Sequence, residues 1–168
     1  MINIYTDGAA RGNPGPGGWG AILKSGRHYK ELSGGFSCTT NNRMELLAVI
    51  VALETVKRDN AEVTVHSDSS YVCDAINKGW LFQWEKKDFA KKKNPDLWKR
   101  LLVIFRKHRV KFVWIKGHNG HPENERCDRL AVEASMMSNL PPDNGYNPDI
   151  NEVNNLDSSA MEQTLPLL

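Results

Sequence analysis

Between Leu46 and Leu53 the chain reads Leu-Leu-Ala-Val-Ile-Val-Ala-Leu, apolar on nearly every side of a helix. A helix without a polar face has to be buried, and in a chain this short it must pack against a sheet. The spacing predicts that helix from Asn42 to about Lys57. The segments around it supply the sheet. Residues 1–6 alternate apolar and polar, as a strand does. Arg11 to Gly18 reads as a turn, and Trp19–Leu23 and His28–Phe36 as two more strands of an antiparallel meander. Val63-Thr64-Val65-His66 is a further strand, followed by the N-capping cluster Ser67-Asp68-Ser69-Ser70 and a helix from about Tyr71. Pro95 opens a helix to about His108. Val110–Ile115 is a strand, Gly117–Pro122 a loop, and Glu123 to about Met137 a last helix. Strands first, then strand and helix in alternation, predict an α/β fold with a mixed sheet and helices on its faces.

At 168 residues, 40% hydrophobic and 25% charged, the chain suits one globular domain. No apolar run approaches the ~20 residues that cross a bilayer. Met1 to Tyr5 lacks the basic and apolar regions of a signal peptide. Cys38, Cys73 and Cys127 are odd in number, widely spaced and form no CxxC pair, so they suggest neither a zinc site nor a disulfide framework and fit a reducing cytoplasm. The net charge of +2 hides an asymmetry: residues 141–168 carry five acids and no Lys or Arg, which leaves +7 on residues 1–140. A basic body fits a polyanionic partner. Beyond Pro141 periodicity gives way to Pro, Asn, Asp and Ser, so residues 1–140 are expected to form the domain and 141–168 an acidic, disordered tail.

Four acids stand out, each with an ordinary alternative. Asp7-Gly8 is also a turn dipeptide, Glu45 has capping-box spacing from Asn42, Asp68 is a possible N-cap, and Asp128 a possible solvated helix charge. Yet Glu45 has only Asn41, Asn42, Ala48 and Val49 at the three- and four-residue offsets. Asp128 has only Asn124, Glu125, Ala131 and Val132. Neither has a basic partner on its helix. If the strands before Asp7 and Asp68 are neighbours and the Asn42 helix crosses them, the carboxylates converge. Like charges so placed need a cation, and oxygen-only ligands select Mg²⁺ or Mn²⁺. The Gly-rich run at 12–20 precedes a strand rather than a helix, which argues for a hairpin and against a phosphate loop. His118 and His121 lack the thiolate or third imidazole of a zinc site. Their Gly-flanked loop suits a proton carrier, or a plain surface histidine.

Tyr5-Thr6-Asp7-Gly8, Gly12-Asn13-Pro14-Gly15-Pro16-Gly17-Gly18, Thr40-Asn41-Asn42-Arg43-Met44-Glu45-Leu46, Ser67-Asp68-Ser69 and Lys116-Gly117-His118 through Glu123-Asn124-Glu125-Arg126-Cys127-Asp128 resemble bacterial ribonuclease HI, the type 1 ribonuclease H family. The resemblance spans residues 1 to about 146. It implies a ribonuclease H-like five-stranded mixed sheet, three antiparallel strands and then two parallel, flanked by helices. It implies a monomeric cytoplasmic endoribonuclease that hydrolyses the RNA strand of RNA–DNA hybrids with two Mg²⁺, giving 5′-phosphate and 3′-hydroxyl ends. By the same resemblance Asp7, Glu45, Asp68 and Asp128 hold the metals, and His118 assists proton movement and product release. Asn13, Asn41 and Asn42 contact the minor groove, Thr40 and Asn94 a DNA-strand phosphate, and Trp80 a deoxyribose. The basic stretch from Trp80 to Arg100, with Lys86 and Lys87, matches the family's protrusion that grips the hybrid backbone. Otherwise it reads as a solvated helix face.

Three features depart from the pattern. The protrusion is short and diluted by Glu85 and Asp88, Cys38 stands where a pocket arginine is often found, and the acidic tail is additional. Two other readings stay open at this level: a non-catalytic RNA–DNA hybrid-binding module, against which the presence of all four acids argues, and a nuclease acting on DNA junctions or ends.

Overall fold

The computed structural model describes residues 1–148. Strands β1 (Ile2–Ala10), β2 (Gly15–Ser25) and β3 (His28–Thr39) form the antiparallel meander. They are followed by α1 (Asn41–Thr55), β4 (Glu62–Ser67), α2 (Ser70–Asn77), α3 (Trp80–Lys86), α4 (Pro95–Phe105), β5 (Arg109–Trp114) and α5 (Pro122–Ser135). The sheet order is β3-β2-β1-β4-β5, with β1, β4 and β5 mutually parallel. The expected α/β architecture, with five strands in a mixed sheet, is what the chain adopts. Helix α1 carries Met44, Leu46, Leu47, Ala48, Val49, Ile50, Ala52 and Leu53 into the main core, together with Ile4, Val65, Leu81, Trp98 and Leu101. Helix α5 covers the opposite face over a smaller cluster of Ile22, Cys127 and Leu130, with Tyr5 packed against it.

The glycine-rich run is less of a turn than its composition implies, because β1 extends to Ala10 and β2 begins at Gly15. These glycines serve close approach of helices to the sheet. A Cβ on Gly18 would overlap the Ala131 carbonyl and Ser135 amide of α5, and one on Gly8 would overlap the Glu45 amide of α1. A helix can thus rest on bare backbone, a use of glycine that local sequence does not distinguish from a turn.

The expected boundary at 140 also shifts. Ser37 N–H donates to the Pro141 carbonyl (2.9 Å), and Asp143 accepts from Thr39 Oγ1 (2.8 Å) and from Arg43 Nε (2.7 Å). Residues 141–148 therefore belong to the packed body, because Asp143 supplies a carboxylate to the buried Arg43 guanidinium. The rest of the expected tail, 149–168, lies outside the described residues. Arg43 and Asp143 side chains are 3% and 9% exposed. Removing one member of such a pair strands its partner, so Asp143→Ala should lower stability by roughly 2–4 kcal/mol, with Asp96 retaining part of the guanidinium's hold. Urea unfolding checks this, and a loss below about 0.5 kcal/mol, the range of an ordinary surface change, would detach the segment from the folding unit.

Candidate active site

Two adjacent parallel strands deliver the first two acids to one end of the sheet. Thr6 pairs with Ser67 across β1 and β4, so Asp7, next along β1, and Asp68, just after β4, emerge side by side. Helix α1 supplies the third. The helix is capped by Thr40, whose hydroxyl accepts from Arg43 N–H at 3.2 Å. The Asn42–Glu45 capping-box spacing is therefore unused, and the bare Gly8 lets the Glu45 turn sit directly on β1. Asp68 is likewise no cap: Ser69 caps α2 by accepting from Val72 N–H at 3.3 Å. The turn that carries Asp68 is pinned by Trp114 Nε1, which donates to the Asp68 carbonyl at 3.0 Å. Gly117 passes so close that a Cβ there would lie 2.6 Å from Asp68 Oδ2.

The result is a trio of carboxylates, Asp7, Glu45 and Asp68, each with an oxygen within 4.8 Å of the others. Asp128, from α5, and the exposed His118 line the same open cleft of about 420 Å³, but Asp128 stands outside the tight trio. No ion pair neutralises any of the four acids among the described residues. Burial, helped by Asp68 and Asp128 and opposed by hydrogen bonds from Glu45 and Gly8, pushes Asp7 up to about 7. Burial and the neighbouring Asp7 push Glu45 well above the ordinary carboxylate range, and burial also raises Asp68. Glu45 Oε2 is buried without a hydrogen-bond partner. An orphaned buried oxygen among crowded carboxyls is what a divalent cation relieves, so the donor set fits a hard metal ion held by oxygen ligands.

A second, basic pocket of about 620 Å³ lies beside the cleft, between the start of α1 and the loop before α4. Asn13, Thr40, Asn42 and Asn94 line it together with Lys91 and Lys92. Asn41 is tied to β1, its Oδ1 accepting from Ala10 N–H (2.6 Å), and Asn13 Oδ1 accepts in turn from Asn41 N–H (3.1 Å). Trp80 is 42% exposed at the start of α3, with Lys78 Nζ 5.1 Å from its ring, and Lys86 and Lys87 are exposed at the helix's other end. The other aromatics of this stretch pack inward: Phe89 and Trp98 are buried. Glu85 bonds Arg106 and Asp88 approaches Lys99 at 3.7 Å, so neither acid neutralises Lys86 or Lys87. Cys38 is exposed and not among the residues lining the basic pocket.

Sequence reasoning missed the residues that hold these groups in place, namely Arg43, Tyr71, Asp96, Trp114 and Asp143. One signal was available. Arg43 is a charge at the edge of a fully apolar helix, which demands buried carboxylate partners.

The ribonuclease H family model matches residues 1–136. A curated ribonuclease H from Desulforamulus reducens is 56% identical over 147 residues, 84% of this chain and 92% of that protein. One from Rippkaea orientalis is 55% identical over 150 residues, 86% and 91% of the two chains. Among solved structures, LC9-RNase H1, a type 1 enzyme with the type 2 active-site motif, superposes with a TM-score of 0.74 at 26% identity, covering 99% of this chain and 86% of the other. LC11-RNase H1, solved with an RNA/DNA hybrid, gives 0.60 at 31% identity over 80% and 96%. A family match over residues 1–136 and relatives matched over nearly their whole length leave one conclusion: the chain belongs to the ribonuclease H family.

Proposed function

We propose that the chain is a metal-dependent endonuclease that hydrolyses the RNA strand of RNA–DNA hybrids, with Asp7, Glu45, Asp68 and Asp128 holding two divalent ions, Mg²⁺ or, as a substitute, Mn²⁺. The supporting observation is the close trio of unneutralised carboxylates, with Asp7 buried, in a chain of this family. Two such ions, when bound, supply an activated water and offset charge on the leaving 3′-oxygen, which yields a 5′-phosphate and a 3′-hydroxyl. The residues of the chain do the rest. Asp7 and Glu45, side by side in the cleft with their proton affinity raised by burial, would hold a cation in place of a proton. His118, at the cleft mouth on a loop with Gly117 and Gly120, carries a proton between cleft and solvent.

The asparagines select the hybrid. Asn13 and Asn41 spend their amide oxygens on the protein itself, so each presents N–H donors outward. Donors suit the base acceptors and the 2′-hydroxyl oxygen of a wide, shallow minor groove. Asn42 stands exposed beside them. Thr40 and Asn94 receive a phosphate of the DNA strand, Trp80 packs on a deoxyribose, and Lys86 and Lys87 hold the backbone. As the resemblance to bacterial ribonuclease HI implies, the proposed enzyme works as a cytoplasmic monomer.

The test is cleavage of labelled hybrid, duplex RNA and duplex DNA with Mg²⁺ or EDTA. Only the RNA strand of the hybrid should be cut, only with metal, leaving 5′-phosphates. Hybrid binding without cleavage would make the chain a binding module, and equal cutting of duplex DNA would sink the substrate assignment. Replacing Lys86 and Lys87 together by Ala should flatten the dependence of log affinity on log salt by about 1–2, and an unchanged slope would remove both from the backbone contacts.

A further inference from the structure

A chain of hydrogen bonds runs from the floor of the basic pocket to the wall of the carboxylate cleft, and the chemistry of two of its members sets its direction. Arg43 has only donors, and all five are engaged. Nε and Nη2 reach Asp143 at 2.7 and 3.1 Å, Nη1 and Nη2 reach Asp96 at 2.9 and 2.8 Å, and the second Nη1 hydrogen reaches Asn94 Oδ1 at 3.2 Å. The only arginine lining the pocket among the described residues is therefore consumed internally, and with two carboxylates on it contributes no net positive charge. An incoming anion must find its donors elsewhere.

Because a guanidinium cannot accept, the amide oxygen of Asn94 has to face Arg43. That turns Asn94 Nδ2 to the Tyr71 hydroxyl, 3.0 Å away. Trp98 Nε1, another donor-only group, meets the same hydroxyl at 3.2 Å. Tyr71 is thus the acceptor for two inward-facing donors. Asn94 is gripped at both ends of its amide and has one N–H left for the pocket. Asn94 itself sits in a left-handed backbone conformation (φ 60°), so its own backbone does not set the amide's direction by a helical rotamer. Tyr71 also lines the carboxylate cleft, which places this grip between the two sites.

We infer that Tyr71 is a positioning residue for the basic pocket: its hydroxyl holds the Asn94 amide with an N–H directed at the phosphate of the bound strand. This rests on the proposed assignment of Asn94 to a DNA-strand phosphate. Tyr71→Phe keeps the ring against Trp98 (centroids 5.2 Å apart) and removes only the acceptor. Hybrid affinity, measured in EDTA so that no metal is needed, should weaken by about three- to tenfold, and KM should rise in step. The Mg²⁺ concentration for half-maximal rate should not move. In an Asn94→Ala background the same Tyr71→Phe change should add less than about 1.5-fold, since the group it positions is gone. Asn94→Asp, which keeps an oxygen for Arg43 but has no N–H to give, should weaken binding at least as much as Tyr71→Phe, and it serves as the test if Tyr71→Phe does not fold. Additive effects of Tyr71→Phe and Asn94→Ala, a shifted Mg²⁺ requirement with unchanged affinity, or wild-type affinity in Asn94→Asp would overturn the inference. Wild-type protein that binds no hybrid would overturn the functional reading itself.

Discussion

Asp7→Asn should reduce Mg²⁺-dependent cleavage of hybrid by more than about 100-fold while leaving hybrid affinity in EDTA within about twofold. Partners one shell out from a metal already cost roughly 10–100-fold when mutated, and Asp7 is proposed as a direct ligand. It sits at the centre of the carboxylate trio, 6% exposed, on the central strand of the sheet. The substitution keeps size and shape but removes the charge that a cation requires. The groups proposed to grip the hybrid lie on α1, α3 and the loops beside them, so binding should survive. Cleavage at wild-type rate in this variant would remove Asp7 from the metal site.

The same carboxylates should make the metal-free protein less stable as pH rises. A carboxyl with a folded-state pKa above its unfolded value binds more protons when folded, so stability falls as pH climbs between the two. For Asp7 that window runs from 3.8 to about 7, and the span corresponds to roughly 4 kcal/mol. This is an upper limit, since solvent at the half-buried Asp68 relieves part of the repulsion. The raised Glu45 acts in the same direction. Glu31, held down to about 2 by its hydrogen bond from Arg126, has the opposite sign but exerts it between about 2 and 4.5, overlapping only the acid end of this window. In EDTA, Asp7→Asn should therefore be more stable than wild type near pH 7.5, with the advantage shrinking to nothing near pH 4. Saturating Mg²⁺ should erase it at pH 7.5, because a bound cation stabilises the folded wild type by mass action. Urea unfolding at four pH values decides the matter: an advantage independent of pH would mean that neither burial nor its acidic neighbours raise the Asp7 carboxyl.

Much of the site was legible in the chain because its signals are local. The three-strand meander, the buried α1 and the residue types around Asp7, Glu45, Asp68 and Asp128 follow from periodicity, from capping residues and from missing helical partners. The boundaries were less legible where one residue type serves two purposes. Gly17 and Gly18 have the composition of a turn, yet they lie in β2, where the absence of a side chain admits a helix. Asn42 and Glu45 have the spacing of a capping box, but Thr40 takes the cap and leaves Glu45 its carboxylate for the cleft. Asp143 belonged by composition to a polar tail; a buried guanidinium exactly one hundred positions earlier draws it into the body.

What the sequence indicated by itself was the kind of chemistry: four acids, the two helical ones without a basic partner on their helices, set among strands and helices that can bring carboxylates together. Tertiary structure alone decided how those acids differ. It draws Asp7, Glu45 and Asp68 into a tight trio around a buried Asp7 and leaves Asp128 outside it. It also spends every donor of Arg43 on Asp96, Asp143 and Asn94, and so gives Tyr71 a hold on the neighbouring pocket. Burial and hydrogen-bond direction depend on partners a hundred or more residues apart. No local pattern of residues records which of them will meet.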